Sequence, residues 1–91
     1  MSAKTNAEPT LREIMLSVLR ITNTRWVKPH MVDEFVQLYA DYVKGFSGSE
    51  ILSGISYHMA IHGKVPMPDE IPPAIAKVQQ LGWENKTIQL H

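Results

Sequence analysis

The chain has 91 residues, of which 44% are hydrophobic, 8% aromatic and 20% charged. That composition excludes a disordered, collagen-like or low-complexity polypeptide and supplies one core. Nine Lys and Arg balance nine Asp and Glu, so no overall field steers the molecule toward nucleic acid or anionic lipid. The absence of cysteine removes disulfides, thiolate nucleophiles and Cys-based zinc sites, and suits a reducing compartment.

Residues 1–9 contain no apolar run and read as a flexible, cytoplasmic start. No stretch approaches the roughly 20 apolar residues that a bilayer crossing requires. Thr10 precedes Glu13 by three residues, a spacing that lets both side chains satisfy free amides of a first helical turn, so a helix is expected from about Leu11. Leu11, Ile14, Met15, Val18, Leu19 and Ile21 fall on its inward stripe, and the polar cluster Thr22-Asn23-Thr24 ends it. Lys28-Pro29 opens a second helix, because proline suits a first helical position and disfavours helix at the residue before it. This helix is expected to run to Lys44 with Val32, Phe35, Val36, Tyr39, Tyr42 and Val43 inward and Phe46 just beyond, until Gly45 stops it.

Ser47 and Glu50 repeat the capping spacing and predict a third helix through His62, terminated by Gly63, with Ile51, Leu52, Ile55 and Met59 inward. Four prolines between Pro66 and Pro73 then require a rigid connector. Within it, Asp69-Glu70-Ile71 makes one tight turn before a last helix from about Pro73 to Leu81, closed by Gly82, with Ile75, Val78, Leu81 and Trp83 packing. Thr87 to Leu90 alternates polar and apolar, the pattern of a short strand or a tail. The expected architecture is all-α: one helical domain over residues 10–83, built as a small bundle of three to four short helices with a helix-turn-helix-like variant. Residues 84–91 follow as a tail or at most one marginal strand.

Few parts for catalysis are present. His58 and His62 stand four apart on the third helix, within reach of one metal. The residues between them include no Glu to act as a base, so two core-edge imidazoles are the expected reading and no metal is assigned. None of Ser47, Ser49, Ser53 and Ser56 lies in a Gly-x-Ser-x-Gly elbow. The adjacent pairs Asp33-Glu34 and Asp69-Glu70 diverge on a helix and cannot straddle one bond. No glycine pattern cradles a phosphate. The expectation is a protein that is not an enzyme, has no cofactor and takes no small-molecule substrate.

The charge is uneven along the chain. Residues 1–28 hold Lys4, Arg12, Arg20, Arg25 and Lys28 against Glu8 and Glu13, a balance of +3, and residues 29–50 hold Lys44 against Asp33, Glu34, Asp41 and Glu50, a balance of −3. Arg20, Arg25, Trp26 and Lys28 cluster at the first inter-helix turn, a mixture able to pair with phosphates and stack on a base or an aromatic partner. The same residues also suit a core cap and internal pairing with the acidic second helix. Tyr57, Met67 and Trp83 are candidate anchors for a protein partner, since aromatic and Met side chains supply most hot-spot area.

The stretch Leu38-Tyr39-Ala40-Asp41-Tyr42-Val43-Lys44-Gly45-Phe46-Ser47-Gly48-Ser49-Glu50-Ile51-Leu52-Ser53-Gly54-Ile55, continued by Pro66-Met67-Pro68-Asp69-Glu70-Ile71, resembles the small helical region of phage replication proteins of the helicase-loader and replication-protein P type. With Trp26 ahead of the second helix, the resemblance covers about Trp26 to Ile71, roughly half the chain. It implies a non-catalytic accessory protein that docks on a replication enzyme or on DNA, and it carries over no catalytic residue. The family usually holds this segment within a larger chain. The expected function is therefore docking on a protein partner, with DNA binding through Arg20 to Lys28 and inhibition of a host enzyme as the alternatives. A homodimer is a further way to cover leftover apolar surface.

Overall fold

The computed structural model describes residues 8–22, 28–85 and 88. Four α-helices follow one another, α1 over Leu11–Thr22, α2 over Pro29–Ala40, α3 over Gly48–His62 and α4 over Ile71–Leu81, with a 3₁₀ turn over Pro68–Glu70 leading into α4. No strand occurs among the described residues, and the chain is a small all-α bundle. No helix among them is long and apolar enough to cross a membrane.

The expected caps form. Thr10 Oγ1 accepts from the Glu13 amide at 3.1 Å while Glu13 Oε1 accepts from the Thr10 amide at 2.8 Å. Ser47 and Glu50 make the same reciprocal pair at 3.1 and 2.8 Å, satisfying donors that a helix start otherwise leaves free. Gly63 and Gly82 close α3 and α4 with left-handed φ of 71° and 64°, a conformation that costs glycine little. Pro9 packs against Gly48 and Glu8 accepts from the Ser49 amide at 2.7 Å, so the segment ahead of α1 lies along the start of α3.

Two boundaries differ from expectation, each for a local reason. The second helix ends at Ala40 rather than Lys44, because Tyr42 and Val43 donate back three residues to Tyr39 and Ala40 at 3.0 and 3.4 Å, a tightening that unwinds the last turn. Val43 is buried as a result, whereas Tyr42, expected inside, is 50% exposed. The last helix begins at Ile71 rather than Pro73. Pro72 and Pro73 occupy first-turn positions whose amides have no intrahelical acceptor, so two prolines start the helix instead of delaying it.

α1 packs on α2 and α3 packs on α4, and contact between α1 and α3 joins the pairs. The core consists of Ile14, Met15, Val18 and Leu19 from α1, Val32 and Tyr39 from α2, Val43 beyond it, Ile51 and Ile55 from α3, Ile71 and Ile75 from α4, and Ile88. Ile21 and Leu81, expected to pack, are exposed. Ile88 is held through Asn85, whose Nδ2 donates to the Ile88 carbonyl at 2.7 Å and whose Oδ1 accepts from the Ile88 amide at 3.0 Å. The buried Ser56 hydroxyl donates to the same Oδ1. Arg12 of α1 pairs with Asp33 of α2, so the acidic second helix is met by the first, but both side chains are exposed and the pair adds little stability.

The Tyr39 hydroxyl donates to the Pro66 carbonyl at 2.6 Å in the interior and ties α2 to the proline-rich connector. Tyr39→Phe keeps the ring and leaves that carbonyl without its donor. The expected result is a loss of about 1–3 kcal/mol in urea unfolding with an unchanged m-value. A variant as stable as the parent protein would show that the bond contributes nothing net.

Candidate functional site

Two surface features stand out, one on α2 and one between α3 and α4. Along α2 and the turn that follows it, the core-facing positions Val32, Val36, Tyr39 and Val43 recur at helical spacing, and a second apolar row, Met31, Phe35, Leu38 and Tyr42, runs beside it with the same spacing. Val36, Met31 and Phe35 are half-buried, and the Phe35 ring meets Tyr39 at 5.9 Å. Leu38 is 54% exposed and Tyr42 matches it closely, so the apolar arc of this helix is wider than its contact with α1 uses.

The other feature is a cleft of ≈ 330 Å³ where the C-terminal half of α3 faces the 3₁₀ turn and the start of α4. Tyr57, Ile61, Pro73 and Ala74 provide its apolar lining, with His58, His62, Asp69, Glu70 and Lys77 as the polar groups. His58 is buried because Ile51, Gly54, Ile55 and His58 form one helical stripe, rotated slightly from the expected inward face; Leu52 and Met59 are only partly buried. A histidine in an otherwise apolar series and a glycine carry no hydrophobic signal, which is why the sequence pattern pointed elsewhere. The His58 and His62 rings lie 4.4 Å apart. His58 Nε2 makes no hydrogen bond and stands 3.9 Å from Glu70 Oε1. Burial holds the imidazole below the ordinary histidine range, with the Glu70 carboxylate pulling the other way. Glu70 is held below the usual carboxylate range, chiefly by the Met67 amide that donates to it at 2.7 Å.

Tyr57 and Trp83 come together, meeting edge to face with ring centroids 5.5 Å apart. Both are half-buried, so each spends part of its ring on the other rather than standing free. Met67 is 61% exposed on the connector and lies outside the cleft lining. Arg20 and Lys28 are exposed at the facing ends of α1 and α2 and form no ion pair with a described residue. Arg25 and Trp26 lie outside the described residues. Among the described residues no three His, Asp or Glu side chains are grouped to hold a metal ion. No family model, curated protein or solved structure matches the chain.

Proposed function

We propose that this protein is a non-catalytic binding module that docks on a protein partner, with the outer row of α2 as its contact surface. The observation that carries the reading is the exposed pair Leu38 and Tyr42, continuing the half-buried Met31 and Phe35. An amphipathic helix with a surplus apolar row is the shape that a hydrophobic groove on a partner accepts at helical spacing. Tyr is among the side chains that dominate binding energy when an interface desolvates them, and Leu38 adds apolar area beside it. The resemblance of Trp26 to Ile71 to phage replication accessory proteins makes a replication enzyme the partner to test first, and an inhibitory complex with a host enzyme would use the same surface.

Leu38→Ala combined with Tyr42→Ala is expected to leave stability within about 0.5 kcal/mol, as for surface positions generally. It is expected to abolish recovery of a discrete protein complex that the parent chain forms at moderate salt. DNA binding is the second reading, favoured by Arg20 and Lys28, which are exposed and form no ion pair among the described residues. Retention on DNA that falls steeply with salt, survives the double alanine variant and disappears in Arg20→Ala with Lys28→Ala would replace the docking reading with that one.

A further inference from the structure

Ser56 and His58 are the buried polar side chains among the described residues. Ser56 is bonded to Asn85, whereas His58 is 7% exposed with an unpartnered Nε2 facing the seam between α3 and the 3₁₀ turn. We propose that His58 is a proton-operated latch on this seam, closed when the ring is neutral and opened locally when it takes up a proton. The latch requires no partner on α2.

The groups around the ring decide the direction. Glu70 comes from the 3₁₀ turn, His62 from the next turn of α3 and Lys64 from the loop that follows. Asp69, Lys77 and Tyr57 line the same cleft. A proton on His58 places a charge where water is excluded, and an unpaired charge in such a place is costly. Among the described residues Glu70 is the one facing carboxylate close enough to compensate, yet at 3.9 Å it is beyond hydrogen-bond range. Its Oε1 already accepts from the Met67 amide, and the side chain is 44% exposed, so solvent weakens its attraction. His62 and Lys64 oppose the new charge.

Burial therefore wins, and the folded seam binds a proton less readily than a free imidazole with its ordinary value of 6.5. The sign follows: closure is at full strength above pH 6.5, and the seam loses it as the pH falls below that value, where the open or unfolded ring protonates first. The ring reaches water most directly through the cleft whose wall it forms. That movement parts the end of α3 from Met67–Ile71, while Ile14 and Val18 stay on α1, which packs on α2 and α3.

The test is a pH titration of the full chain by NMR, reading the His58 ring protons and amide hydrogen exchange corrected for intrinsic rates. The His58 midpoint is expected below 6.5. Between pH 7.5 and 5.5 the amides of Met67, Asp69, Glu70 and Ile71 are expected to lose protection several-fold, with about ten-fold as the ceiling set by one pH unit below 6.5. Ile14 and Val18 should keep theirs. His58→Gln, which cannot titrate, removes the pH difference. If that variant fails to fold, Glu70→Gln and His62→Gln keep the proposal testable, because the first lowers the His58 midpoint and the second raises it. A midpoint at or above 6.5, equal protection at both pH values, or equal loss in the turn and at Ile14 would each overturn the latch.

Discussion

Ile55→Ala is expected to lower the unfolding free energy by about 2–5 kcal/mol. Ile55 has no exposed surface and sits on α3, the helix that touches both α1 and α4. Truncation removes three methyl or methylene carbons from contacts on two sides, and neither neighbour can close the space without leaving the other. A domain of this length holds on the order of 5–15 kcal/mol in total, so the loss is a large share of what keeps it folded. Thermal unfolding followed by circular dichroism should shift down by about 10 °C or more, given roughly 4–8 °C per kcal/mol at this size. Leu19→Ala on α1, 4% exposed, should fall in the same range. Melting like that of the parent protein in both would mean that the helix faces described above do not form the core.

Gly54→Val is expected to be at least as damaging, for the opposite reason. A Cβ placed on Gly54 would come within 2.7 Å of Ile75 Cγ1 and 3.3 Å of the Ile75 amide nitrogen. The crowded atoms are the Ile75 γ-methylene, one bond from the branched Cβ, and the backbone of α4, not the end of a flexible chain, so α4 itself has to move. Overpacking of this kind costs about 1–3 kcal/mol for small additions and more for larger ones. Gly54→Ala regains about 1 kcal/mol of helix propensity, and its net loss should be about 1 kcal/mol, whereas Val adds bulk with only a fraction of that compensation and should cost about 3 kcal/mol or more. Urea unfolding of the two variants checks the order. A Gly54→Ala protein more stable than its parent would show that α3 and α4 separate freely.

Helix starts were the most legible part of the sequence, because Thr10 with Glu13 and Ser47 with Glu50 announce them through chemistry that needs no tertiary context. Glycine stops at Gly63 and Gly82 were legible for the same reason. The faces of α1 could be read from spacing, since that helix has one simple stripe. α3 was harder. It lies between two neighbours, its inward stripe passes through Gly54 and His58, and a pattern of apolar residues cannot show that a glycine marks close approach or that an imidazole is buried. Tandem prolines at Pro72 and Pro73 look like an interruption until their place in the first turn of α4 is known. The surface row along α2 is hard to see in the sequence because Tyr42 lies on the flank of the core series, and only burial separates it, 50% exposed, from Val43 beside it. By sequence Tyr57 and Trp83 are separate anchors, and the ring contact between them comes from folding rather than from any local signal.

The hydroxyl of Tyr39 reaches across to Pro66 from the same helix that presents Leu38 outward. A pull or push delivered to that helix from outside thus has a second mechanical exit besides α1: one short bond to the connector that leads from Pro66 into the 3₁₀ turn. Strain entering on one side of the molecule would arrive at the other after crossing a single phenol ring.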